Sequence, residues 1–139
     1  NPLAVVHMRS AADLRGLGYQ LALGEQFETR GVTWNHSLFG RSGLYTAYLG
    51  GMKNPAMVKR PDEEIGRIAC REFETVTGHA AEALMVSRTR MPAWDQSWDA
   101  LPDLDLPSGV HLCSNYSTRP GIAGRMAEAQ RLAKRLTAT

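Results

Sequence analysis

Residues 31–51, Gly31-Val-Thr-Trp-Asn-His-Ser-Leu-Phe-Gly-Arg-Ser-Gly-Leu-Tyr-Thr-Ala-Tyr-Leu-Gly-Gly51, hold two β-rich runs. Gly31-Val32-Thr33-Trp34 is the first, and Leu44-Tyr45-Thr46-Ala47-Tyr48-Leu49 is the second. Only a short glycine-bearing segment separates them. Strands that follow so closely pair antiparallel, because a parallel pair needs a crossover of about a dozen residues or more. The stretch therefore predicts an antiparallel meander.

The neighbouring sequence extends it. Upstream, Ala4-Val5-Val6-His7-Met8 is a short apolar run, and Leu17, Tyr19, Leu21 and Leu23 alternate with smaller or polar residues as in a half-buried strand. Downstream, residues 61–77 predict a helix. Pro61 suits its first position, Asp62, Glu63 and Glu64 place negative charge at the positive end of its dipole, and Gly78 can end it. Ile65, Ile68, Ala69, Phe73 and Val76 recur at helical spacing. Ala83-Leu84-Met85-Val86 reads as another strand of the same sheet. Residues 91–108, rich in proline and aspartate, read as an extended connector. Gly109-Val110-His111-Leu112-Cys113 reads as a strand, and residues 121–136 as a second helix with Ile122, Met126, Ala129, Leu132, Ala133 and Leu136 along one stripe. The pattern predicts an α+β fold: a mostly antiparallel sheet packed by one helix, then a C-terminal strand and helix.

The 139 residues suffice for a core, and 16 basic against 14 acidic residues leave a net charge of +2 with the signs mixed along the chain. Such a balance argues against a nucleic-acid groove or a polybasic membrane patch. Cys70 and Cys113, with no metal-ligand spacing, read as two buried, reduced thiols and suit a cytoplasmic protein. No apolar run reaches the length of a membrane span, and no signal peptide is visible. A chain that begins Asn1-Pro2 and enters an apolar run reads as a piece of something longer. His7, His36, His79 and His111 lack metal spacing, so no metal site is expected. His36 lies beside Ser37, but no nucleophile elbow or third partner supports a hydrolase.

The residues themselves single out one further site. Where the strand at 109–113 ends, a loop from Ser114 to Gly124 leads into a helix, leaving unpaired N–H groups that suit a phosphate or the polar edge of an aromatic ring system. An ordinary capped β–loop–α connection is the commoner reading of the same residues taken alone.

Four stretches in order, covering nearly the whole chain, resemble the protoporphyrinogen oxidases of the FAD-dependent amine oxidase superfamily. Residues 31–39 with Gly40-Arg41 are similar to that family's segment before an arginine-bearing turn. Leu44 to Gly51 resembles the strand and double glycine that follow. Arg88-Thr-Arg-Met-Pro-Ala-Trp-Asp95 resembles the family's Trp-x-x-Ala-Ile-Pro-x-Tyr segment, with Pro92 and Trp94 matching the proline and aromatic. Gly109-Val-His-Leu-Cys-Ser-Asn-Tyr116, Gly124 and the last helix resemble the flavin-closing motif.

The resemblance implies a C-terminal part of a flavoprotein oxidoreductase. Residues 1–90 would belong to its substrate domain, 91–108 to a return crossing, and 109–139 to the strand and helix that complete a Rossmann-like FAD domain. FAD would be the cofactor, contacted by Ser114, Asn115, Tyr116, Ile122, Ala123 and Gly124. Arg41, Met91, Trp94 and Trp98 would contact a large apolar small-molecule substrate, a tetrapyrrole being the nearest, though the tryptophans equally suit burial of the connector. Arg41, Arg88 and Arg90 would meet substrate propionates or stay solvated. Peripheral membrane association is implied for the longer protein. No Gly-x-Gly-x-x-Gly turn occurs in these residues, so the piece alone would be inactive. Ser114-Asn115, Arg125 and Ala129 depart from the family pattern. Ser114-Asn115 and Ala129 favour the alternative of a non-catalytic α/β binding or assembly module on the same scaffold.

Overall fold

A computed structural model describes residues 1–92, 101, 104–114 and 121–138, in two compact units, Asn1–Ala93 and Trp94–Thr139. The first unit carries β1 (Pro2–Arg9), β2 (Gly18–Gln20), β3 (Thr29–Thr33), α1 (Asn35–Phe39), β4 (Leu44–Gly50), a 3-10 turn (Pro55–Lys59), α2 (Asp62–Thr77) and β5 (Glu82–Arg90). Its strands form one five-stranded sheet, antiparallel throughout, in the order β2-β3-β4-β1-β5. The fold class is α+β, as expected.

The strand order departs from the expected meander. β2, β3 and β4 do follow one another, but β1 lies between β4 and β5. The reason is composition: β1 is apolar on both sides of its pleat, which suits the middle of a sheet better than an edge. At the outer edge, β2 spans only Gly18–Gln20, while Leu17 and Leu23 of the expected strand are exposed. Its ladder ends because the chain turns at residues 22–25, where the Glu25 N–H donates to the Ala22 carbonyl at 3.1 Å.

Register sorts the side chains into two faces. Ala4, Val6 and Met8 of β1 stand with Leu49, Ala47 and Tyr45 of β4 on one face, all fully buried. Ile65, Ile68, Ala69 and Phe73 of α2 complete that core, with Met57 of the 3-10 turn. Burial of this helical stripe is the main force that docks α2, at roughly 25 cal/mol per Å² of apolar surface. Gly66 sits at the helix–sheet contact, where an added Cβ would lie 2.9 Å from the Ala83 Cβ. The helix ends as expected, with Gly78 left-handed at φ 76° and its N–H donating to the Glu74 carbonyl.

In the second unit α3 spans Ile122–Thr137, and within it Glu128 pairs with Arg131 at 2.6 Å. The strand expected over residues 109–113 is not formed. The Val110 N–H closes a turn on the Pro107 carbonyl at 3.0 Å, and no ladder joins residues 110–113 to another strand among the described residues. An apolar run without a neighbour has nothing to hydrogen-bond its backbone in extended form. Cys113 is accordingly exposed, against the expectation of a buried thiol. Cys70 is half-buried on α2, and burial, then the charge of Glu82, pushes its thiol up. Among the described residues no helix is long and apolar enough to cross a membrane.

Candidate functional site

The sheet face away from α2 carries Leu3, Val5 and His7 of β1 opposite Gly50, Tyr48 and Thr46 of β4. Thr33 joins them beside Thr46 on β3. Hydrogen bonds link the polar members: His7 Nδ1 lies 3.1 Å from Thr46 Oγ1, and the Thr33 hydroxyl donates to the Tyr48 hydroxyl at 3.4 Å. The face is thus apolar with a few placed hydroxyls, the composition of a small-molecule surface.

A cavity of about 440 Å³ opens on it, walled by Leu3, Tyr48, Met91, Thr33 and Gln20 together with Arg30. Met91 is held there by its backbone, whose N–H donates to the Asn1 carbonyl at 2.9 Å. Arg30 arrives through a bulge: Thr29 pairs with Leu49 and Gly31 with Tyr48, which leaves Arg30 unmatched on β3. Tyr19 also lines the cavity. Burial, then the charge of Glu72, pushes its phenol up to about 12, so it stays protonated and serves no base chemistry near neutrality.

Of the residues singled out from sequence, Met91 lines this cavity and Arg41 does not. Arg41 stands on the turn before β4, at the opposite end of that strand from Gly50, with its guanidinium 6.0 Å from the Phe39 ring centre. Arg88 has a structural task. It donates to the Val58 and Arg60 carbonyls at 2.7 and 2.8 Å and pairs with Asp62 at 2.6 Å, tying β5 to the start of α2. Trp94, Trp98, Asn115 and Tyr116 lie outside the described residues. Ser114 is half-buried in irregular chain. Ile122, Ala123 and Gly124 form the first turn of α3, which begins after Gly121 with no side-chain cap. Its first intrahelical bond runs from the Arg125 N–H to the Gly121 carbonyl at 3.3 Å, so the three N–H groups before it have no helical acceptor.

Tyr48, Thr33 and Arg30 were missed as site residues. Strand parity was the available signal for the first two, since Tyr48 lies between the core residues Ala47 and Leu49 and Thr33 follows the core residue Val32. Nothing local marks the bulge that presents Arg30.

His36 proves to be a clamp. Its Nδ1 accepts the Gly43 N–H at 3.0 Å, so Nε2 carries the proton and donates to Asp13 Oδ1 at 2.9 Å. The Ser37 hydroxyl accepts the Gly16 N–H at 3.0 Å, and no Ser–His pair is formed. The His36 hydrogen bond, then that of Arg15, holds the Asp13 carboxyl below its ordinary value of 3.8. A lowered folded value means the contact is intact above pH 3.8 and is lost as pH falls through the lowered value. In an NMR titration Asp13 should therefore protonate below 3.8, with the Gly16 amide exchanging faster as it does. Asp13→Asn should remove that dependence; titration of Asp13 at or above 3.8 would contradict the clamp.

No known family model matches this chain, and no curated protein sequence matches it.

Proposed function

We propose that this chain is the C-terminal part of an FAD-dependent oxidoreductase of the protoporphyrinogen oxidase type, acting on a large, mostly apolar small molecule. The observation that carries the reading is the cavity on the free face of the sheet. It lies between the strands built from the two family-like stretches, with Tyr48 from one and Thr33 from the other in its wall, beside Met91 of the third. A wall of this kind positions and shields a substrate, which is what a flavin oxidase asks of its protein. Flavin supplies the acceptor for the hydride; this chain's residues hold the substrate and exclude water.

The start of α3 fits a flavin contact. Its uncapped N–H groups at Ile122, Ala123 and Gly124 suit an electron-rich partner at the positive end of the helix dipole. Gly124, half-buried and without a side chain, permits close approach of its backbone. In the protein encoded by the complete reading frame, Gly124→Val should weaken FAD binding roughly tenfold or more if it loses about 1.4 kcal/mol. Flavin titration reads this, with circular dichroism to verify folding. Unchanged affinity in a folded variant would reduce the start of α3 to a plain connection.

A further inference from the structure

The two edges of the sheet differ. β2 is three residues long and leads into a turn, whereas β5 pairs with β1 alone and leaves its other side bare over residues 85–90. Asn1 and Met91 exchange both main-chain hydrogen bonds, at 2.7 and 2.9 Å. By alternation Ser87 and Thr89 also bond to β1, while Val86, Arg88 and Arg90 turn their N–H and C=O groups to the open side. Such a row of unpaired groups is a template for an added strand. Beside it runs a groove of about 350 Å³, walled by Asp62, Glu63, Gly66 and Arg67 of α2 and by Leu84 and Val86 of β5, among others. Asp62 is paired with Arg88 and Glu64 with Arg60. Glu63 and Arg67 are exposed and have no ion pair among the described residues.

We propose that this edge takes an extended segment of another protein, antiparallel to β5, that carries a cation, an apolar residue and an anion in that order. The order follows from direction. α2 runs opposite to β5, since Asp62 reaches Arg88 while Gly66 lies against Ala83 and Val86. A segment antiparallel to β5 therefore runs with α2 and meets Glu63 before Arg67. Alternate residues of a strand share a face and stand about 6.6–6.8 Å apart, and four residues of helix rise about 6 Å. A lysine or arginine two places ahead of an aspartate or glutamate thus matches Glu63 and Arg67 together. The residue between them falls on the opposite face, on the side of Met85, which is 54% exposed; an apolar side chain there covers it. Main-chain pairing supplies the affinity, and the two charges set direction and register. None of this rests on the flavin reading.

The test is an NMR titration of the 139-residue chain at low salt with acetyl-Thr-Val-Lys-Val-Glu-Val-Thr-amide and with the same peptide after its lysine and glutamate are exchanged. The first should bind at least about threefold tighter, because exchange turns two exposed ion pairs into two like-charge contacts. Binding should slow amide exchange at Val86, Arg88 and Arg90 and leave Ser87 and Thr89 unchanged. Glu63→Lys combined with Arg67→Glu should reverse the preference, and Arg67→Glu alone should erase it, which decides the question if the double variant does not fold. Absence of binding, equal affinity for the two peptides, unslowed exchange at Val86, Arg88 and Arg90, or a folded variant that keeps the parent's preference would each overturn the proposal. So would a protein from the complete reading frame in which those three amides exchange slowly without peptide, since its own chain would then fill the edge.

Discussion

Phe73→Ala is expected to destabilise the first unit by about 3–5 kcal/mol, the usual cost of emptying a large aromatic site in a core. Phe73 is fully buried on α2, and its ring packs against that of Tyr45 at 5.1 Å between centres, tilted by 52°. Tyr45 is itself fully buried, and its hydroxyl donates to the Ala12 carbonyl at 2.7 Å. Truncation therefore removes the contact that joins helix to sheet and leaves a void beside a ring whose hydrogen bond limits its collapse. Single domains are stable by only about 5–15 kcal/mol, so the variant should sit near the edge of folding. Urea unfolding of both proteins measures the difference. A loss below about 1 kcal/mol would mean that α2 does not dock through this stripe.

Glu72→Ala should rank second, at about 3 kcal/mol. Its carboxylate is buried on the same helix and accepts the N–H of Glu28 at 3.0 Å and of Thr29 at 2.8 Å. It thereby pins the first residues of β3 to α2. Hydrogen bonds to a charged group contribute about 1.5–3 kcal/mol each, and removing the acceptor leaves two donors stranded. Glu72→Gln is informative beside it. The amide oxygen can accept one N–H, but the amide nitrogen then faces another donor, so the glutamine variant should recover less than half of the loss. Amide exchange at Glu28 and Thr29 should speed up in both. Parent-like stability of Glu72→Ala would show that solvent or a neighbour satisfies those amides without the helix.

Both residues bear on what the sequence discloses. Phe73 stands at helical spacing from Ile65, Ile68 and Ala69, and the capping of α2 by acidic residues and Gly78 is local, so the helix and its buried face are legible. Glu72 falls on that same stripe, four residues after Ile68. A carboxylate there is itself a signal of a buried acceptor, although its partners on β3 are distant in sequence and carry no mark. β4 was legible because Leu44–Leu49 is a β-rich run bounded by Gly43 and Gly50. The place of β1 between β4 and β5 was not, since strand order depends on long-range pairing. The run at 109–113 misled for a related reason: its composition suits a strand, but a strand exists only where another backbone completes its hydrogen bonds.

The site divides along the same line. Met91, singled out from the sequence, lines the cavity, while Arg41 sits away from it at the other end of β4. Arg30 and the clamp of Asp13 on His36 depend on a bulge and on a loop contact, and neither has a local signature.

The most direct test of the flavin reading is the visible spectrum of two purified proteins: this 139-residue chain, and the protein from the complete reading frame that contains it. The account predicts a colourless chain, because these residues include no dinucleotide-binding glycine turn. It predicts a yellow longer protein that keeps about one FAD per chain through dialysis. A complete protein that neither carries flavin nor takes it up on titration would contradict the account and favour a non-catalytic binding module on this sheet.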